Sequence, residues 1–239
     1  MLYDVLMKID NLCYKYFPII FGLFWGAYAH AESFASVMRL CKKELTDNPP
    51  QITIKYNYGK LNTDHTKTSQ QLREIMNKMY RSEPERKLNG LTQLSPYVLV
   101  ESDIVLSAIG SYNCYYPQKV SVTVGYNPVL YIRSDIQEGS CRYNITLRHE
   151  QTHFDIGYLS MEYFLHKLKV SVPEAVKNAG VIVKSSRREK NTQKTLAELN
   201  NRYKTQISHI FNRFVQDMME HQLRIDTAES YDIEGKFCR

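Results

Sequence analysis

The chain has 239 residues, 43% hydrophobic and 23% charged, with a net charge of +6. Those values suit one globular domain, or two small ones, and exclude a disordered or repetitive chain. The basic residues are scattered apart from "KSSRREK" at 184–190, which reads as a solvated loop, so nucleic-acid binding is not expected.

Phe17 to Tyr28 is apolar, with Lys8 and Lys15 upstream and Ala29-His30-Ala31 behind it. A short apolar core followed by small residues reads as a secretory signal peptide, residues 1–31, cleaved after Ala31. The run falls short of the roughly 20 residues a spanning helix needs. Losing this segment removes Lys8 and Lys15 together with Asp4 and Asp10, so the remaining chain keeps its +6 charge. No later segment is long and apolar enough to span a membrane. The expectation is a single domain, 32–239, secreted or periplasmic, with no integral membrane segment.

Cys13 leaves with the signal, and Cys41, Cys114, Cys141 and Cys238 remain. An even number in an oxidising compartment reads as disulfides, and the lack of a C-x-x-C pair argues against a thiolate zinc knuckle. Cys114 and Cys141 flank the strand region, and Cys41 and Cys238 lie near the two ends. That placement suggests the pairs Cys114–Cys141 and Cys41–Cys238.

Along the chain, "SFASVMRLCKKEL" (33–45) predicts a short helix, which Asn48-Pro49-Pro50 breaks. "QITIKYNYG" (51–59) alternates as a strand does, and "TSQQLREIMNKMY" (68–80) has a Thr cap and helical spacing. From Pro96 to Asp135 the pattern is β, in the runs 97–110, 119–126 and 129–135. A helix follows from about Cys141 to Lys169, and Pro173 suits the first turn of another short one. "VKSSRREKNTQ" reads as a polar connection. A long helix from about Thr192 to Ala228 carries Leu196, Leu199, Tyr203, Ile207, Ile210, Phe214, Met218 and Ile225 at spacings close to threes and fours. Strands first and helices after predict an α+β domain with an N-terminal antiparallel β region.

The predicted helix after the β region contains "HEQTH", His149 to His153. Histidines four apart on a helix project from one face, one turn apart, and both imidazoles can hold one metal ion. A zinc ion there acidifies water, and the neighbouring Glu150 can take the proton as that water attacks a carbonyl. His149 and His153 are thus candidate metal ligands and Glu150 the candidate general base. The apolar residues Ile145, Phe154 and Ile156 flank them. Asp155 points off the metal face and suits an ordinary salt bridge. The sequon Asn144-Ile145-Thr146 lies one turn before the motif, within the predicted helix, and is discounted.

A zinc enzyme needs a third protein ligand. The extended metzincin spacing is absent. On a continuous helix Glu162 points to the opposite face, and His166 lies about 20 Å along the axis from His153. The ligand is therefore expected from the long C-terminal helix, as in the gluzincin arrangement. His221 and Glu229 are the candidates, both assigned to the apolar stripe of that helix. Tyr203 and Tyr231 are possible oxyanion donors among many tyrosines.

"HEQTHFDI", His149 to Ile156, resembles the hallmark of the domain of unknown function 922 family, whose members are described as predicted zinc-dependent proteases of bacterial envelopes. The resemblance implies a zincin-like fold: a strand-rich N-terminal half, the motif helix, and a C-terminal helix with a second signature, Gln-x-x-Tyr-Asp-x-Glu-Thr. Gln222-x-x-Ile225-Asp226 looks like its first half. Glu229-Ser230 with one residue inserted, or Tyr231-Asp232-x-Glu234, looks like its second half. The histidine that usually follows in the family has no counterpart here.

The expected function is a secreted or periplasmic zinc metallopeptidase acting on a peptide or protein substrate, with Glu150 as general base. The strand "VLYIRSD" is expected to align that substrate by edge pairing. The alternatives are a non-catalytic envelope protein with a structural metal or a partner-binding role, and a hydrolase of cell-wall amides.

Overall fold

The computed structural model describes residues 33–80, 88–189 and 191–227, with 229, 230, 233 and 236–238 near the C-terminus. The expected signal peptide, Lys190 and Tyr231 lie outside the described residues. Glu32–Arg239 forms one compact unit. Its elements are α1 (Phe34–Asp47), β1 (Gln51–Asn57), β2 (Asn62–Asp64), α2 (Ser69–Tyr80), β3 (Gly90–Gln93), β4 (Pro96–Ile109), β5 (Tyr112–Tyr126), β6 (Val129–Ile132), α3 (Cys141–Ala179), β7 (Ile182–Ser185) and α4 (Thr192–Leu223). The domain is α+β, as expected, but its two sheets are mixed rather than antiparallel.

Local chemistry explains the helix starts. Ser33, Ser140 and Asn191 cap α1, α3 and α4 by accepting a backbone N–H three residues on. At α2, Gln71 N–H donates to Thr68 Oγ1 (3.3 Å), while Thr68 N–H donates to Gln71 Oε1 (2.9 Å). Two otherwise unmet donors are thereby satisfied reciprocally, as in a capping box.

The β region is built on one hairpin. β4 and β5 pair antiparallel from Pro96↔Tyr126 to Ile109↔Tyr112. Gly110, with φ of 57°, supplies the left-handed backbone at its turn. β5 is the centre of the larger sheet, pairing with β1 in parallel along 119–125 and with β7 along 112–115. Beyond Asn127-Pro128 the chain continues as β6, which pairs antiparallel with β3 and parallel with β2. Proline removes a ladder donor at that point. Asn127 N–H instead donates to the Leu94 carbonyl (3.0 Å), beside Ser95 with its positive φ of 46°. The ribbon thus turns from one sheet into the other and presents β3 to α3.

α3 and α4 cover one face of the larger sheet. Val120, Val122 and Val124, alternate residues of β5, meet Met161, Phe164, Leu168 and Val172 of α3 and Leu199, Tyr203, Ile207 and Phe211 of α4 in a single core. Three expectations need correction here. Pro173 does not begin a new helix, because α3 runs through it to Ala179. A proline inside a helix costs roughly 3 kcal/mol, and burial of Val172, Ala175 and Val176 on either side offsets that. The "polar connection" begins inside β7, and its first residue, Val183, is buried. α4 ends at Leu223, several residues earlier than its apolar spacing suggested.

The disulfides also differ from the expected pairs. Cys41 bonds Cys114, and Cys141 bonds Cys238, with Cα atoms 5.8 and 5.6 Å apart. The first ties α1 to β5 in a small apolar cluster with Val37, Val181 and Val183. The second ties the C-terminal segment to the first residue of α3. Both close long loops, 73 and 97 residues apart. Bridges over loops of that size typically contribute roughly 2–4 kcal/mol each by restricting the unfolded chain. Replacing both Cys41 and Cys114 with Ala should therefore lower unfolding stability by about that amount, about 2–4 kcal/mol, in a denaturant titration.

Candidate metal centre

α3 carries His149 and His153 one turn apart, as the motif requires, with 5% and 7% of their surface exposed. Buried imidazoles need polar partners, and the segment that follows α4 provides them. Asp226 Oδ1 lies 3.1 Å from His149 Nε2 and 3.1 Å from His153 Nε2, and the two Nε2 atoms are 3.3 Å apart. Donors around a tetrahedral zinc with bonds of about 2.0–2.1 Å are separated by about 3.3 Å. The triangle of two nitrogens and one carboxylate oxygen therefore has the edge lengths such an ion needs. Among the described residues this trio is the group of histidine, cysteine and carboxylate side chains that can hold a metal ion.

Gln222, the last buried residue of α4, fixes the ring of His153. Its Nε2 donates to the His153 carbonyl (2.9 Å), which can only accept. Its Oε1 therefore faces His153 Nδ1 in a short hydrogen bond. Nδ1 carries the hydrogen, and Nε2 is left to face Asp226 or a metal. Without a metal, a carboxylate between two Nε2 atoms favours a proton on one of them. Burial pushes the His153 imidazolium down, but the Asp226 carboxylate, with Glu150 and Gln222, outweighs it and raises His153 above the ordinary histidine value. A metal must displace that proton.

Glu150 is 3% exposed and faces β3. The Thr92 hydroxyl lies 2.9 Å from Glu150 Oε2 and 2.9 Å from the Glu150 carbonyl oxygen. Its single hydrogen serves the carboxylate when Glu150 is ionised. It can serve the carbonyl when the carboxyl is protonated and donates back. Burial is the largest influence and lifts the carboxyl to about 7, against the pull of His153, His149 and Thr92. Gly90 makes room for this arrangement, since a Cβ there would fall 2.6 Å from Glu150 Oε1 and 2.7 Å from Thr146 Cγ2.

Further along α3, Gly157 packs against Leu94 and accepts a hydrogen bond from the Tyr126 hydroxyl at its carbonyl. The helix is continuous there, so Glu162 does point away, and it accepts a hydrogen bond from Tyr58. Asp155 is exposed and forms no ion pair among the described residues. Tyr203 is fully buried and donates to the Gly180 carbonyl (3.0 Å), so its hydroxyl is occupied within the core.

The structure brings neither His221 nor Glu229 to the histidine pair. His221 is exposed and lines a groove between α3 and α4, and Glu229 is exposed beyond the end of α4. The buried stripe runs Phe214, Met218, Gln222. Counting from Ile225 displaced it by one residue onto His221, because Ile225 lies past the helix. The fours from Phe214 through Met218 and Gln222 lead to Asp226, and that spacing was the signal available for it. Thr92 and Gly90 carried no local signal, being separated from Glu150 by 58 residues or more.

No protein-family model matches this chain, and no curated protein or solved structure matches it.

Two outcomes test the site. Asp226→Ala should weaken zinc binding by about 10–100-fold or more in a competition titration, as loss of a ligand or its support does. His221→Ala and Glu229→Ala should leave it unchanged. Glu150 should also shape stability in the metal-free protein. The folded chain holds its proton up to about pH 7, while the ordinary value is 4.5. Stability therefore falls as pH rises between those values and levels off above them. Glu150→Gln lacks this penalty, so it should exceed the parent by up to about 3 kcal/mol near pH 8 and lose that advantage near the ordinary carboxyl value. Chemical denaturation at both pH values measures the difference.

Proposed function

We propose that this chain is an exported zinc-dependent peptidase with a zincin-like catalytic arrangement. The observation that carries the reading is the convergence of three donors, His149, His153 and Asp226, beside a buried carboxylate. Three protein donors leave a tetrahedral ion one position for water or substrate, whereas a structural site uses four. Two imidazoles and a carboxylate suit zinc. When bound, the ion supplies Lewis acidity, which acidifies a water and polarises a carbonyl.

The chain's own residues divide the remaining work. His153, held by Gln222, and His149 present Nε2 atoms to the ion. Asp226 adds the carboxylate and balances its charge. Glu150 accepts the proton of the attacking water and returns it to the leaving amine. In the metal-free chain burial lifts its carboxyl to about 7, and the Thr92 hydroxyl lies 2.9 Å from its Oε2.

The substrate-aligning strand is not "VLYIRSD", because β6 lies between β2 and β3. Among the described residues β2 and β3 are the two edges of that sheet, and β3 carries Gly90 and Thr92 against Glu150. A peptide extended along β3 would pass next to the general base.

The resemblance to the domain of unknown function 922 family supports the same reading. Gln222 and Asp226 both fall in the segment that resembles its second signature, and both contact the motif histidines. Two disulfides favour an oxidising compartment, periplasmic or extracellular. Among the described residues no helix is long and apolar enough to cross a membrane.

The test is hydrolysis of unfolded casein and of purified cell-wall peptide by the zinc-loaded protein and its Glu150→Gln variant. The expected result is cleavage by the parent, at least about 100-fold loss in the variant, and equal zinc content. Retained cleavage in the variant would remove Glu150 from the mechanism. Zinc binding with no cleavage of either substrate would favour a structural metal.

A further inference from the structure

α3 and α4 run antiparallel, Phe164 meeting Phe214 and His153 meeting Gln222. Beyond the metal centre they leave a groove of about 600 Å³. Its floor is the stacked pair Phe164 and Phe214, with centroids 4.1 Å apart and planes 12° from parallel, together with Met218. Leu159 and Tyr163, 66% and 64% exposed, form part of the wall. Large apolar side chains left this open to water at a concave site mark a place where a ligand is accommodated.

The rim decides the kind of ligand. Lys167, Arg213 and His221 border the groove, and Asp217 is its one acidic residue. Among the described residues, neither Lys167 nor Arg213 is held in an ion pair. The Lys167 ammonium lies 4.6 Å from the centre of the Tyr163 ring, over the wall of the groove. A cationic ligand would meet like charge, and a neutral apolar one would leave both cations unused. The groove is lined from Ile156 to Ser171 on α3 and from Ile210 to His221 on α4, and its volume of about 600 Å³ falls in the range of small-molecule sites. That suits a short chain or ring system better than a docked helix.

We propose that this groove is a binding site for a small anionic amphiphile, with its apolar body on Phe164, Phe214 and Met218 and its carboxylate between Lys167 and Arg213. The site shares no residue with the metal trio and does not depend on the peptidase reading.

The test is calorimetric titration of decanoate, below its micelle-forming concentration, into the full chain with metal removed. Parallel arms use 1-decanol and an acidic amphipathic peptide. Decanoate should bind saturably, one molecule per chain, and the Lys167→Glu, Arg213→Glu double variant should weaken it by about tenfold or more. Decanol should bind more weakly than decanoate and respond little to the double variant. Arg213→Ala, a truncation at an exposed position, should give a smaller loss in the same direction. Absence of saturable decanoate binding, equal binding by the double variant, or binding of the peptide alone would overturn the proposal. With metal removed, the carboxylate cannot report on the metal centre, so failure here and failure of the casein assay are separate results.

Discussion

Two imidazoles and a carboxyl withdrawn from water within five residues of one helix must each be given a polar partner, or the fold loses several kcal/mol at that point. His149, His153 and Glu150 meet this requirement from two directions. The end of α4 delivers Gln222 and Asp226 to the histidines, and β3 delivers Thr92 to the glutamate. The motif can be buried only where those two elements arrive together. Much of the tertiary arrangement is the means of bringing them there.

α3 joins the two requirements. Its first half holds the polar group, and its second half, from Met161 to Val176, buries an apolar face on β5 and α4. The long helix therefore joins the main core to the candidate metal centre. On the other side, the turn of the ribbon at Ser95 and Pro128 sends β3 across α3, close enough that Gly90 and Gly157 are needed at the two points of contact. The Cys141–Cys238 bridge holds the C-terminal segment to the start of the same helix. Asp226 thus lies in a segment anchored at both ends, by α4 before it and by the disulfide after it.

The electrostatics follow from this burial. Low exposure raises Glu150 to about 7, and the carboxylate of Asp226 holds His153 above its usual value in spite of burial. The same enclosure that makes ionisation of Glu150 costly brings its titration in the metal-free chain into the neutral range. Asp226 is the most exposed member of the candidate metal trio and marks the side from which solvent reaches it. The apolar groove continues along the same pair of helices, so one interface contains a polar centre near one end and a cation-rimmed hydrophobic floor beyond it.

What could be read from the sequence was local. The cap at Thr68, the β pattern of 97–110 and 119–126, and the four-residue spacing of His149 and His153 involve neighbours within a turn or two, so propensity and periodicity reveal them. Periodicity failed where a helix ended, at Leu223, and there the stripe was assigned to His221 instead of Gln222. Tertiary structure decided the rest: the disulfide pairs, β7, the passage of α3 through Pro173, and the partners Thr92 and Asp226, which lie 58 and 77 residues from Glu150 and His149. Contacts at that separation depend on burial summed over many segments at once. A motif determines which atoms of one helix converge, and only the packed chain determines what meets them.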